Sequence, residues 1–269
     1  MDMTIGSLKI GSRLILGKYG VRNESPYPIV WLKGTPNSDF ITEQAIDYIC
    51  FDSCERRNND RQMQYYGNSN YQVSNLLSFL NSDIEAWYRP MHQADAPPSR
   101  QNSRSRDCEY ESHYGFLYHF EDYEVDSIRY YSYPVGNERV TSMLRLPSSD
   151  DILGVNRFKL FSKKGVRVKG TEDMVASRWG NGFDYNSYID FWVSDIGNSA
   201  YSAKLISRSG CVDSAQPANN SGLRPVCSLK PETVVSIDEN GLYYIAPRVI
   251  QRNVCTEEEL FSFLGITQK

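Results

Sequence analysis

The stretch SGLRPVCSLKPE, residues 221–232, carries the reading of the fold. It reads as a short apolar strand entered from a Ser-Gly turn, yet Arg224 and Pro225 stand in its middle. A buried charge is costly unless paired, so Arg224 must reach solvent, find an acidic or carbonyl partner, or hold a ligand. Pro225 restrains Arg224 to extended backbone and removes a ladder donor, so the strand enters its sheet at an edge or a bulge. Gly222 permits the turn. Arg224 is then read as a framework residue whose planar fork fastens the preceding loop to backbone carbonyls or a carboxylate.

Around this stretch lie 269 residues, 40% of them apolar, enough for one large domain or two small ones. The 29 basic and 33 acidic residues leave a net charge of -4, which offers no attraction for a polyanion and argues against a nucleic-acid partner. No run approaches the ~18 apolar residues of a membrane span. MDMTIGSLKIGSRL shows no basic, apolar and small-residue succession of a secretory signal, so the six cysteines are expected as free thiols. Of 19 tyrosines, seven crowd between Tyr110 and Tyr133, a density that suits either a recognition surface or half-buried residues beneath long loops.

Regular elements are short. SLKIGSRLILGKY reads as two strands joined at Gly11-Ser12, and PYPIVWLKG as a strand that begins at an edge or only after Pro28. Val73, Leu76, Leu77, Leu80, Ile84 and Trp87 share one helical face, with a capping box at Ser69 and Gln72 or a later cap at Ser74. Residues 91–107 have the Pro, Ser and Arg content of an exposed loop. PSSDDI predicts a capped helical turn. RVTSMLRLP, NRFKLFS, DFWVSD, YSAKLIS, LRPVCSL and the hairpin VVSI-DENG-LYYI predict strands, followed by a capped helix in TEEELFSFLG. The sum is an α+β chain with long polar loops.

The sequence carries no nucleophile elbow, phosphate loop, dinucleotide fingerprint or calcium loop, and it implies no cofactor and no metal. Paired with Glu111 or Glu121, His113 or His119 has the donor types for a metal; hydrogen-bonded histidines are the simpler reading. Cys50 and Cys54 lack a second close cysteine pair; Cys211 and Cys227 flank one loop, at whose base they either approach each other or, in the simpler reading, are buried inert thiols. Asp150, Asp151, Asp184, Asp190 and Asp195 form an acid pair only through tertiary proximity. In RWGNGFDYNSYIDFWVSD, residues 178–195, aromatic anchors stand among small polar residues, as they do in binding loops. Arg178, Trp179, Tyr185 and Tyr188 are its candidate ligand contacts. At least one of Phe191 and Trp192 belongs to the core, since successive strand residues face opposite sides.

Taken in order, LKIGSRLILGKY, PIVWLKG, YGNSNYQVSNLLSFLN, Trp87 with His92 and DAPPS, GFLYHFEDYE, FWVSD and GLRPVCSL resemble domains of bacteriophages and prophages of Gram-positive bacteria. Those domains are similar in fold to formylglycine-generating enzyme and to C-type-lectin-like phage receptor-binding proteins. The resemblance implies a lectin-like α+β domain over residues 1–232, framed by Arg224, Pro225 and Trp87. Beyond it, residues 233–269 read as a hairpin and short helix packed on that domain or used as an arm. The expected function is that of a noncatalytic virion protein, made in the host cytoplasm, within an oligomeric assembly. Its expected partners are other capsid or tail proteins and a host surface protein or glycan. The alternative is a thiol- or metal-dependent enzyme of the formylglycine-generating type, which requires an activated Cys211 or Cys227.

Overall fold

A computed structural model describes residues 3–22, 24–104, 109–155, 157–162, 166–172, 174 and 187–247. The first half of the chain forms β1 (Arg13–Tyr19), β2 (Tyr27–Lys33), β3 (Asp39–Thr42), β4 (Asp47–Cys50), α1 (Arg61–Tyr66), α2 (Asn75–Leu80) and α3 (Asp122–Ser127). Then come β5 (Tyr131–Val135), β6 (Glu138–Ser142), β7 (Leu144–Arg145), α4 (Ser149–Leu153), β8 (Phe191–Trp192), β9 (Ala203–Ile206) and β10 (Val212–Ala215). The chain continues through β11 (Asn220–Leu223), β12 (Val226–Ser228), β13 (Val235–Ile237) and β14 (Tyr243–Ile245). The architecture is mixed α+β, mostly sheet with short helices.

Residues 221–228 form two strands in two different sheets. β11 lies in a five-stranded sheet of order β10-β9-β8-β11-β4, and β12 in a seven-stranded sheet of order β13-β14-β1-β2-β3-β12-β7. The chain crosses between them at Arg224-Pro225. Its antiparallel neighbour crosses at the same place, because β11 pairs with β4 and β12 with β3. Two residues on one side face residues 43–46 on the other, so the two-stranded ribbon bends. Pro225 cannot continue a ladder through this corner, while its carbonyl accepts Thr42 N–H at 3.2 Å.

Gly222 lies inside β11 rather than in the expected turn, closely packed beside β8. A Cβ there would stand 2.7 Å from the Asp190 carbonyl oxygen and 3.0 Å from Ile189 Cδ1. Next to it, β8 presents Phe191 to the smaller core, with Ile41, Ile152, Phe158 and Val226, and Trp192 to the larger core. Both are fully buried, one on each side of the strand. Trp192 Nε1 donates to Ile49 O at 2.9 Å.

Several elements differ from the sequence expectation. Residues 7–10 form no strand: Ile5–Ser7 is a 3-10 turn, and the Ile5, Gly6 and Leu8 carbonyls converge on the buried Lys33 Nζ at 2.9, 3.2 and 2.9 Å. Gly11 serves a turn, at φ +87°. Pro28 lies inside β2, tolerated because β1 bulges opposite it between Ile15 and Lys18 and because β3 pairs only with Trp31–Lys33. The amphipathic helix stops at Leu80, capped at its start by Ser74, whose Oγ accepts Leu77 N–H at 3.2 Å. Asn81 diverts the chain by donating to Leu77 O and Leu144 O and accepting from Met143 and Leu144 N–H. Ile84 is accordingly exposed, and Trp87 enters the core from a loop. Within NRFKLFS, Lys159–Ser162 is a 3-10 turn rather than a strand.

The hairpin β13-β14 is part of the larger sheet, since β14 pairs in parallel with β1. The expected helix in 256–265 lies outside the described residues. No described helix is long and apolar enough to cross a membrane.

Candidate functional site

Of the candidate contacts in the aromatic stretch, Arg178, Trp179 and Tyr185 lie outside the described residues. Tyr188 is 37% exposed, and Arg167 stacks over its ring at 4.4 Å from the centroid. Trp87 is buried, stacked on Tyr110 at 5.3 Å, and donates through Nε1 to Tyr110 O at 3.1 Å.

Arg224 fills the corner between the sheets. Its Nε donates to Thr42 O at 3.1 Å, and its guanidinium lies 5.3 Å from the ring centres of both Phe161 and Phe191. Nη1 has no hydrogen-bond partner, and burial pushes the group down to about 9, partly offset by the Glu43 charge.

The thiols divide by exposure. Cys50, Cys54 and Cys227 are buried and Cys211 is exposed; none of the four is in a disulfide. Cys211 precedes β10 at the edge of the five-stranded sheet, and Cys227 sits in β12 of the other sheet, so the loop they flank does not bring them together. Burial, then the Asp39 charge, pushes the Cys227 thiol well up, the reverse of nucleophile activation.

His113 takes the simpler, hydrogen-bonded reading. His113 is buried, with Nδ1 3.1 Å from Tyr19 Oη and 3.5 Å from Asp47 Oδ2; the Tyr19 hydroxyl donates to Asp47. His119 packs edge-on against Tyr114 and Tyr118, and burial together with Lys18 pushes it down. Glu111 and Glu121 join neither in a metal-ligating group among the described residues. The carboxylates of the second half are engaged structurally: Asp151 pairs with Arg145, Asp195 accepts from Ser149, and Asp190 accepts from Ser221. Asp184 lies outside the described residues.

The described residues gather a different polar group, just beyond β4. Asp52 and Glu55 are buried there, and His92, with a side chain 23% exposed, reaches them from the loop after Trp87. One donor atom from each lies within 4.8 Å of the others. Asp52 is held by its neighbours: Oδ1 accepts Asn75 N–H and Oδ2 accepts Asn68 N–H, both at 3.1 Å. Glu55 Oε2 accepts from the Asn58 amide. Glu55 Oε1 has no hydrogen bond and stands 3.4 Å from His92 Nε2, which also lies 3.4 Å from the Asn68 amide nitrogen. Asp95 closes the group, accepting the Asn75 amide at 3.0 Å and Met91 N–H at 2.7 Å.

The electrostatics of this group are one-sided. Among the described residues no Lys or Arg pairs with Asp52, Glu55 or Asp95. Burial pushes Asp52 well above the usual carboxylate range, against the pull of the Asn75 N–H, and burial raises Glu55 as well. Tyr88 beside them is pushed up by burial and then by Asp95, Asp52, Glu111 and Glu55. Two carboxylates and an imidazole in this setting suit proton sharing or cation binding.

Two clefts border the group. His92, Asn58, Asn59 and Gln93 line one of about 470 Å³. A second, of about 510 Å³, shares Asn68 and is lined by Asn70, Gln72, Asn137, Glu138 and Ser199 among others. In the sequence, Asp52 and Glu55 stand three apart in CFDSCE and His92 and Asp95 three apart in MHQAD. That spacing is the available signal, and nothing in it joins the two pairs.

No family model, curated protein or solved structure matches this chain.

Proposed function

We propose that the chain is a noncatalytic bacteriophage virion protein, a capsid or tail decoration or a receptor-binding module, on a C-type-lectin-like scaffold. The observation that carries this reading is the set of exposed tyrosines. Tyr65, Tyr118, Tyr130, Tyr131, Tyr188, Tyr201 and Tyr244 are each 37% to 71% exposed. Tyrosine offers broad contact area with few torsions to freeze and a polar tip for hydrogen bonding, as binding surfaces require. Most of these residues stand on irregular segments between the strands. The scaffold beneath is braced by the crossing ribbon and Arg224, which suits loops that must hold a shape.

The second cleft adds a place for a polar ligand. Asn68, Asn70, Gln72 and Asn137 bring amides, each both donor and acceptor, to its lining. That chemistry fits glycan hydroxyls or a peptide backbone. Partners are accordingly other virion proteins and a host surface protein or glycan, with weak single contacts added by repetition on a particle.

Electron microscopy of the assembled source particle, with an antibody to this chain, tests the reading. Regular labelling at capsid or tail is expected. Particles that are complete without the chain would refute it.

A further inference from the structure

The geometry points to a binding site for one first-row divalent transition-metal ion, of the zinc class, held by a carboxylate oxygen of Asp52, Glu55 Oε1 and His92 Nε2. It stands independently of any virion role.

Distance is the first argument. Three atoms within 4.8 Å of one another fit within about 2.8 Å of a common centre, against ~2.0–2.2 Å for zinc bound to oxygen or nitrogen. Rotation of the side chains by well under an ångström closes the difference.

Unmet valence is the second. Glu55 is fully buried, and its Oε1 accepts no hydrogen bond while pointing at the imidazole nitrogen. A buried carboxylate oxygen without a donor is costly, and a cation is the partner that removes the cost for Asp52 and Glu55 together. Apart from His92 itself, the nearby charge is negative, since Asp95 adds a further carboxylate.

The surroundings are also those of a ligand set. Backbone N–H groups of Asn68 and Asn75 fix Asp52, the Asn58 amide fixes the other oxygen of Glu55, and Asn75 is in turn tied to Asp95. Such outer bonds orient ligands and leave the inward lone pairs for the ion. The imidazole selects the metal class, since calcium and magnesium take oxygen ligands. Three protein ligands leave a coordination position for the cleft lined by His92, where water or an oxygen donor of another molecule completes the sphere. The ion would tie the segment after β4 to the loop after Trp87.

The full chain, stripped with a chelator and kept reduced, is titrated with Zn²⁺ and separately with Co²⁺. One equivalent bound saturably is expected, with a Co²⁺ spectrum free of a sulfur charge-transfer band. His92→Ala and Glu55→Gln each weaken binding by about tenfold or more. Because His92 is on a loop and partly exposed, its variant is expected to retain the wild-type circular dichroism. A second readout is a change of sign: metal-free Glu55→Gln unfolds at a higher temperature than wild type, and with Zn²⁺ at a lower one. Absence of saturable binding, undiminished binding in both variants, a thiolate band, or a Glu55→Gln shift of the same sign with and without Zn²⁺ overturns the site.

Discussion

Replacing Arg224 tests whether this residue is a brace or a ligand contact. Burial, partly offset by the Glu43 charge, pulls the Arg224 guanidinium down to about 9, a cost on the order of several kcal/mol. Against this stand a hydrogen bond from a charged donor to Thr42 O, worth ~1.5–3 kcal/mol, and two ring faces, worth ~0.5–2 kcal/mol each. The two sides nearly cancel. Arg224→Lys keeps a buried charge but gives up the flat fork that lies between Phe161 and Phe191 while reaching Thr42, and should cost ~2–4 kcal/mol. Arg224→Met discards both the cost and the gain, fills similar volume, and should stay within ~1.5 kcal/mol of wild type. Urea unfolding at neutral pH with an unchanged m-value, supported by calorimetry, gives the ordering, and the Lys variant should melt roughly 4–16 °C lower. A Lys variant as stable as wild type, or a Met variant less stable than the Lys variant, refutes the brace. Lost particle binding at an unchanged midpoint would make Arg224 a ligand contact.

Gly222→Ala places a methyl 2.7 Å from the Asp190 carbonyl, and should lower stability by ~1–3 kcal/mol; an unchanged urea midpoint would show that β8 and β11 can separate freely. A thiol probe followed by mass mapping should label Cys211 in the native protein and reach Cys50, Cys54 and Cys227 only on unfolding; rapid native labelling of Cys227 would revive the thiol-enzyme alternative. Asp52 and Glu55 titrate above their unfolded range when folded, so the folded state holds protons the unfolded state releases. The stability they contribute is full below about pH 4 and is lost as pH rises through the raised values. Metal-free unfolding measured from pH 5 to 8 should show this decline, with a shallower slope in Glu55→Gln; identical slopes would count against a raised Glu55.

Local chemistry is legible in the sequence where it acts over a few residues. Ser148 caps α4 as PSSDDI predicts, with its Oγ accepting Asp151 N–H at 3.0 Å. VVSI-DENG-LYYI makes its hairpin, and the loop 91–104 carries no helix or strand. Periodicity overran at Leu80 because the apolar face of Ile84 and Trp87 continued in the letters, whereas Asn81 had better bonds to make with residues 143 and 144. β3, β4 and β10 were not read from the sequence. They are short, and Asp39, Asp47 and Asp213 are individually poor strand formers that only pairing with distant strands stabilises.

By itself the sequence determined an α+β chain with short strands and long loops, and a restrained, donor-poor backbone at Arg224-Pro225. The tertiary structure decided that this restraint marks a crossing between two sheets, because the bend exists only beside the matching crossing of the antiparallel neighbour at residues 43–46. It likewise decided that Asp52 and Glu55 face His92 across about forty residues of chain. A carboxylate's letter says nothing of its burial or its missing donor; those arise when separate loops close over it, and they give this group its chemistry.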